Sequence, residues 1–194
     1  MWYVIQTVTG KEEELMLFIR TLLSREHFEN CFMIRAEWLK RLGGEWQLQI
    51  RPLFPGYVFI ETDEPERIYM ELKGVPKFSR LLGNSRDEFI PVKAEEEKFL
   101  RMITGAVNSG WDFGDAVVRL TSVETDDDGE VVSMNGALMY FEKEIVRMNL
   151  HKRYAVVQTR MLGEERALVF GVRLGKDGES TLFCKNPELY GAKR

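Results

Sequence analysis

The hydrophobic pattern of the chain changes its period several times, which indicates alternating strands and helices. Trp2 to Thr9 is rich in aromatic and β-branched residues and predicts a strand. Lys11 to Arg25 predicts an amphipathic helix, because its apolar residues recur at helical spacing. The same reasoning predicts strands at 32–38, 46–50, 57–62 and 80–82, and helices at 65–73 and 94–103. This order predicts an α+β domain, with a mainly antiparallel sheet and helices on one or both faces.

Glycine-rich and acidic segments separate this domain from a second region. Residues 105–114 have the composition of a linker, and the acidic run at 124–128 predicts a solvated turn or a further linker. The closely spaced short strands that follow predict a small β-barrel, at 130–134, 143–149, 154–159 and 167–172. The predicted organisation is a domain at 1–105, a linker at 106–128, a barrel at 129–176 and a tail at 177–194.

The composition is typical of a globular protein, with 194 residues that are 44% hydrophobic and 30% charged. No apolar stretch approaches the ~18–20 residues of a membrane-spanning helix, so no membrane partner is expected. The N-terminus lacks the pattern of a signal peptide. Cys31 and Cys184 are too few and too far apart for a disulfide framework. We therefore expect a cytoplasmic protein, and a monomer.

The charge of the chain is unevenly distributed. The net charge is −4, yet residues 131–176 carry eight basic and four acidic side chains. A basic C-terminal region on an acidic chain indicates a local nucleic-acid footprint.

The sequence contains no set of residues that would support catalysis. His27 and His151 have no partner motif, and the motifs of metalloproteases, P-loops and nucleophile elbows are missing. The run Asp126 to Asp128 has no ligand-spaced loop after it, which argues against a cation site. The glycines between 171 and 178 lack the strand–turn–helix context of a phosphate-binding loop and predict a turn. We expect no enzymatic activity, no metal site and no cofactor.

The segment from Arg51 to Ile60 is the most informative part of the chain. Pro52 and Pro55 have no N–H to donate, which places this backbone at a sheet edge or a strand entry. Gly56 permits a tight turn before a buried strand. The residues alone leave two roles open for Phe54, a plug of the core or an anchor for a partner.

The motif Phe-Pro-Gly-Tyr-Val-Phe at 54–59 resembles the NusG family of transcription elongation factors. Three further motifs occur in the order and spacing of that family's N-terminal domain, across roughly residues 1–105: Trp2-Tyr3-Val4, Gly10-Lys11-Glu12 and Gly74-Val75-Pro76. A looser resemblance to a KOW domain, which is an SH3-like β-barrel, covers about residues 129–175.

This resemblance implies that Phe54 anchors the chain to the clamp helices of the largest subunit of RNA polymerase. Trp2, Tyr3 and Tyr57 would surround Phe54 in an apolar groove that seats the helix pair. The turn Gly74-Val75-Pro76 would face the opposite lobe of the polymerase cleft. Bridging both lobes would hold the clamp closed and suppress pausing and termination. Contact with the non-template DNA strand is left open.

A second informative run places cations beside a strand that restarts at Tyr154. One interpretation is a solvated hairpin turn, and the other is an edge that grips the phosphates of a nascent RNA hairpin. In the second interpretation the cations contact the RNA backbone, and His151 or Tyr154 stacks on a loop base. The candidate RNA-binding residues are Arg147, His151, Lys152, Arg153, Tyr154 and, if it lies on the same side, Arg166.

Several positions depart from the common KOW pattern. Lys143 stands where a glycine is typical, and Leu162-Gly163-Glu164 replaces Phe-Gly-Arg. These departures argue against the housekeeping role of binding a ribosomal protein, and the cationic turn resembles that of specialised paralogues of the LoaP type, which are antiterminators that bind an RNA hairpin. The hypothesis is a transcription elongation and antitermination factor. The alternatives are an adaptor whose KOW domain binds a ribosomal or termination protein, and a ribosome-associated RNA-binding protein.

Overall fold

A computed structural model describes residues 1–73, 90–105, 116–177 and 183–184. The helices in these ranges are α1 (Glu12–Leu22), α2 (Pro65–Lys73) and α3 (Ala94–Ile103), with 3-10 turns at Ala137–Glu144 and Gly175–Asp177. The strands are β1 (Trp2–Gln6), β2 (Asn30–Phe32), β3 (Arg35–Leu42), β4 (Glu45–Pro52), β5 (Tyr57–Glu61), β6 (Ile90–Pro91), β7 (Val117–Val118), β8 (Thr121–Thr125), β9 (Val131–Asn135), β10 (Ile145–Asn149), β11 (Tyr154–Met161), β12 (Glu164–Leu174) and β13 (Phe183–Cys184). Among the described residues, no helix is both long and apolar enough to span a bilayer.

The first sheet is antiparallel, has the order β2-β5-β1-β6, and supplies two separate cores. Alternate residues of a strand point to opposite faces of its sheet. Ile5, Val58 and Ile60 pack against α1 and α2, on what we call the helix-covered face. The opposite face, which we call the module-covered face, packs against α3 and the C-terminal part of the chain. Its residues in the sheet and the adjoining turn are Trp2, Val4, Phe32, Phe54, Tyr57 and Phe59.

The second sheet, in the order β13-β4-β3-β7, is built on the β3–β4 hairpin. Gly43 and Gly44 close this hairpin with φ angles of 61° and 89°, which glycine adopts without steric cost. The predicted single strand at 32–38 is divided at Met33 and Ile34, because β2 pairs with β5 whereas β3 pairs with β4. The chain therefore passes from one sheet to the other at this break.

The C-terminal module, which comprises β8 to β12, forms a sheet in the order β10-β11-β12-β8-β9. The predicted linker at 106–128 holds two strands, because β7 pairs with β3 and β8 pairs with β12. The acidic run closes the β8–β9 turn, where Asp126 Oδ1 accepts hydrogen bonds from the N–H groups of Asp128 and Glu130 at 3.1 and 2.8 Å. Gly171, where the predicted strand at 167–172 and the predicted turn at 171–178 overlap, lies inside β12.

A continuous hydrophobic core connects the first sheet to the C-terminal module. Trp2 and Phe54 belong to the same buried cluster as Phe141, Leu162 and Phe170 of the module. The N-terminal domain and the module therefore pack directly against each other. The module therefore covers part of the surface that this face of the first sheet could offer to a partner.

Candidate functional site

A buried carboxylate holds the turn that carries Phe54. The N–H of Gly56 donates to Glu12 Oε1 at 2.6 Å, and Glu12 is 4% exposed. Gly56 has a φ of 81°, and an added Cβ would lie 3.0 Å from the carbonyl oxygen of Thr7, so glycine is strongly favoured here. Glu12 was not among the predicted site residues. Its place in the Gly10-Lys11-Glu12 motif is the one sequence signal that could have indicated it.

Three of the four aromatic residues predicted to contact polymerase lie together on the module-covered face: Trp2, Phe54 and Tyr57. The ring of Trp2 packs edge-on against Phe32 with 4.8 Å between centroids, and Phe54 packs edge-on against Phe59 at 5.8 Å. Trp2 and Phe54 are 0% and 2% exposed. In this conformation Phe54 is a core residue, and its role as an anchor stays a prediction.

Tyr3 does not join the other three aromatic residues. Because successive side chains of a strand alternate between faces, Tyr3 packs against the helix-covered face while Trp2 packs on the opposite side of the sheet. Three of the four predicted aromatic residues therefore share one face and Tyr3 does not, and the polymerase contact of all four stays a prediction.

Tyr57 is engaged by an arginine of the C-terminal module. Its hydroxyl accepts a hydrogen bond from Gln6 Nε2 at 2.8 Å. Arg166 in β12 also donates to this hydroxyl, and its guanidinium carbon lies 4.2 Å from the centroid of the Tyr57 ring. Arg166 further donates to the Met161 carbonyl at 3.1 Å and pairs with Glu164 at 2.9 Å. Arg166 thus lies against the N-terminal domain rather than beside the cationic turn, so it does not extend the predicted RNA patch in this arrangement.

Helix α3 makes both a polar and an apolar contact with the module. The N–H of Leu162 donates to Glu96 Oε1 at 2.9 Å. The ring of Phe99 packs edge-on against Phe141, with 5.3 Å between centroids. The contact between α3 and the module therefore combines a hydrogen bond with aromatic packing.

Glu37 lies where β3 comes closest to the module. Its carboxylate accepts a hydrogen bond from the N–H of Leu120 at 2.8 Å and pairs with Arg119 at 2.8 Å. An added Cβ at Gly171 would overlap the carbonyl oxygen of Glu37. The packing of β12 against β3 therefore requires a glycine at this point.

The predicted cationic run divides into exposed and buried members. Arg147, His151 and Lys152 are exposed. Arg153 is 6% exposed, and its guanidinium pairs with both carboxylate oxygens of Asp177, with Nε at 2.7 Å. Arg153 therefore ties the turn to the end of β12 and does not face solvent, in contrast to its predicted role as a phosphate contact. The sequence offered no local signal for this pair, because its members lie 24 residues apart.

The fifth member of the RNA set, Tyr154, is half-buried and lies against the N-terminal domain, where it stacks on Trp38 of β3. Trp46 of β4 and His151 both line an open cleft of about 500 Å³. The predicted contact Gly74-Val75-Pro76 lies outside the described residues.

Within the part of the chain that the structure describes, no group of three or more His, Cys, Asp and Glu side chains could hold a metal ion.

A charged cluster borders the module-covered face beside Trp2. Arg101 donates to Glu61 at 2.5 Å and to Glu97 at 2.9 Å, and its guanidinium carbon lies 4.4 Å from the centroid of the Trp2 ring. Burial alone would raise the pKa of Glu61, but hydrogen bonds from Asn30 and Arg101 outweigh burial and hold this pKa below its usual range. The carboxylate of Glu61 is therefore bound in its charged form.

The helix-covered face contains a buried thiol, that of Cys31. Burial raises the pKa of Cys31 to about 12. Because the thiolate is the reactive form of cysteine, this side chain is inert near neutral pH.

Residues 1–101 match a family model described as transcription termination factor nusG. The chain is 26% identical over 99 residues to the transcription termination/antitermination protein NusG of Haemophilus influenzae, an alignment that covers 49% of this chain and 54% of that protein. It is 24% identical over 162 residues to the protein of the same name from Pseudomonas aeruginosa, which covers 76% of this chain and 86% of that one. The alignment with the Haemophilus protein thus spans about half of that relative's length.

Among solved structures, the chain is similar to a crystal structure of an MjSpt4:Spt5 complex. The TM-score is 0.33 at 14% identity, over 89% of this chain and 100% of that one. The assignment to the LoaP type is not tested by any of these similarities and stays a prediction.

Proposed function

Because the chain belongs to the NusG family, we propose that it is a transcription elongation and antitermination factor that binds RNA polymerase through its first sheet. The cluster of Trp2, Phe54 and Tyr57 on one face carries this proposal. The resemblance assigns these side chains to the groove for the polymerase clamp helices. Aromatic residues are frequent anchors at protein interfaces. Such a factor would act by binding, and it would suppress pausing without a catalytic group.

The packing of the module sets a condition on polymerase binding. Phe54 is buried, and Arg166 covers the ring of Tyr57. A groove for a helix pair on this face therefore requires the module to move away from Tyr57. Polymerase would then bind a minor, opened population, and its apparent affinity would be reduced by the fraction that is open.

The substitution Arg166→Ala tests this condition. It removes a hydrogen bond and a cation–π contact to Tyr57, so we expect immobilised core RNA polymerase to retain about two- to five-fold more full-length protein in a pull-down. Arg160→Ala is the matched control, because Arg160 is an exposed arginine in β11. Adding Phe54→Leu to Arg166→Ala should lower retention again, with an unfolding curve to verify the fold. Absence of retention for wild type and Arg166→Ala alike would contradict polymerase binding.

The exposed cations of the C-terminal module support a second contact, with a hairpin in the nascent RNA. Arg147 and Lys152 are exposed, and the guanidinium carbon of Arg147 lies 5.8 Å from the centroid of the Tyr154 ring, so this surface combines phosphate-binding cations with an aromatic ring. His151 is exposed in the same run. Two tethered weak contacts, one with polymerase and one with RNA, would raise each other's effective concentration. Arg153 and Arg166 stand outside this proposed surface in the packed arrangement, because each is engaged by other side chains.

Fluorescence anisotropy with a labelled leader RNA hairpin tests the RNA contact. The double variant Arg147→Ala/Lys152→Ala should weaken binding and reduce the slope of log affinity against log salt by about two. Lys143→Ala removes an exposed lysine at the end of a 3-10 turn and should leave both quantities unchanged. Binding that does not depend on salt would contradict an RNA-phosphate contact.

An adaptor function for the module is the second candidate. The module exposes several large apolar side chains, with Val132, Met139 and Val146 at 65%, 51% and 64% exposed. Exposed apolar side chains mark a protein contact where they form a contiguous patch. Retention of purified ribosomal subunits or a termination protein, by full-length protein that binds no RNA, would favour this function over RNA binding.

A further inference from the structure

The stack between Tyr154 and Trp38 resembles the contact between an aromatic side chain and a nucleobase. The two ring centroids lie 5.6 Å apart, and the planes are inclined by only 14°. Proteins that bind single-stranded RNA place unpaired bases on aromatic rings in this near-parallel manner. The indole of Trp38 is a flat bicyclic ring, comparable in shape to a purine.

Two arginines extend this stack at its ends. The guanidinium carbon of Arg51 lies 4.8 Å from the Trp38 ring centroid, and that of Arg147 lies 5.8 Å from the Tyr154 ring centroid. Both arginines are exposed. Neither forms an ion pair with a carboxylate in the described ranges. Cations flanking a stacked ring pair are suited to an RNA backbone, because they can contact phosphates on either side of a stacked base.

From this geometry we propose that Trp38 occupies the position of an unpaired RNA base on Tyr154, so that the N-terminal domain and RNA compete for the module. The inference rests on the proposed binding of RNA by the module and adds a mechanism to it. Tyr154 is the aromatic side chain that the cationic surface contributes to the interdomain contact within the described ranges. RNA gains Tyr154 only when Trp38 leaves it.

The competition connects RNA binding to the polymerase-binding face. The module that stacks Tyr154 on Trp38 also places Arg166 on Tyr57. Displacement of Trp38 by an RNA base weakens the same interface that covers Tyr57. Linkage is reciprocal, so a state in which polymerase has displaced the module binds RNA more tightly by the same factor.

Full-length protein and a fluorescein-labelled RNA hairpin with an adenine-rich loop provide the test, by anisotropy at low salt. Trp38→Ala should bind this hairpin at least about five-fold more tightly than wild type, because the competing ring is gone. Tyr154→Ala should bind about ten-fold more weakly than its parent in the Trp38→Ala background, and should lose less in the wild-type background, because there it also removes the competing stack with Trp38. Unfolding curves establish that each variant is folded.

Trp46→Ala is the matched control. Trp46 lies on the same hairpin and contacts Arg153 at 4.8 Å instead of Tyr154, so its loss should leave RNA affinity close to wild type. An equal gain in Trp46→Ala and Trp38→Ala would overturn the specific role of Trp38, since general loosening would account for both. Weaker binding by Trp38→Ala would also overturn it, because Trp38 would then belong to a shared RNA surface.

The same data separate failure of this inference from failure of the proposed function. If wild type binds RNA through Lys152 and Trp38→Ala binds equally well, the competition is wrong and RNA binding stands. If no variant binds the hairpin at low salt, RNA binding itself is wrong, and the competition fails with it.

Discussion

The two faces of the first sheet are both buried, yet different kinds of element cover them. The helix-covered face is largely aliphatic, and α1 and α2, which adjoin its strands in sequence, seal it. The module-covered face is aromatic, and part of its cover comes from β12 through contacts such as Arg166 with Tyr57. A face sealed by its own domain is fixed when that domain folds. A face sealed by a second module through mixed contacts can open at lower cost, which suits a binding surface.

The largest effect is expected from a substitution on the helix-covered face. Ile60 is fully buried between β5 and the helices. Ile60→Ala should lower the free energy of unfolding by about 2–5 kcal/mol, because it removes packed methyl groups and leaves a cavity. Urea unfolding followed by circular dichroism measures this loss. A loss below about 1 kcal/mol would mean that this face is not the fixed core of the domain.

Glu12 accepts a hydrogen bond from the turn that carries Phe54, and its loss should have the next largest effect. In Glu12→Ala the buried N–H of Gly56 loses its acceptor, which should cost about 1–3 kcal/mol of unfolding free energy. Glu12→Gln keeps an acceptor oxygen and is the control that should retain most of the stability. If the two variants unfold at the same urea concentration, the hydrogen bond to Gly56 does not hold the Phe54 turn.

The helices α2 and α3 and the residue Glu12 illustrate what the sequence could and could not predict. Both bounds of α2 and α3 follow from the sequence, because helical periodicity and start signals are local. Glu12 was missed as an anchor because its partner, Gly56, lies 44 residues away. The same limitation hid the pairing of β7 with β3 and of β8 with β12, which divide the predicted linker.

Four aromatic residues were predicted to lie together, and three of them, Trp2, Phe54 and Tyr57, share one face of the sheet. The separation of Tyr3 from Trp2 was predictable, since alternation along a strand requires neighbouring residues to face opposite ways. The burial of Arg153 was not, because a run of cations has the same composition whether its members face solvent or a distant carboxylate such as Asp177. Patterning locates a surface in a sequence, but only the tertiary contacts decide which of its charges are available.

Acid should weaken the module-covered face before the helix-covered face. The pKa of folded Glu61 lies below its ordinary value of 4.5, so its contribution to stability is present above about pH 4.5 and is lost as the pH falls through the folded pKa. Urea midpoints measured at a series of acidic pH values should fall more steeply for wild type than for Glu61→Gln. Glu29→Gln, which removes an exposed carboxylate, should follow the wild-type curve.

The smallest effect on stability is expected at the contact between α3 and the module. Glu96→Ala removes the acceptor for the N–H of Leu162, and should cost about 0.5–1.5 kcal/mol or less. Hydrogen exchange should become faster at Leu162 and remain unchanged in α1. Glu95→Ala, an exposed neighbour in the same helical turn, is the control. Faster exchange in both α1 and the module would show that the two faces open together. The helix-covered face would then be no more fixed than the module-covered face.

A substitution at Gly171 would separate the module from the N-terminal domain without removing any residue of their contact. Its φ lies outside the left-handed region, so alanine fits the strand itself, yet the added methyl group would overlap the Glu37 carbonyl. Gly171→Ala would push β12 away from β3 by the size of one methyl group, and it would leave Trp38, Tyr57, Tyr154 and Arg166 unsubstituted. The Gly171→Ala variant would thus provide the protein with its module separated from the N-terminal domain.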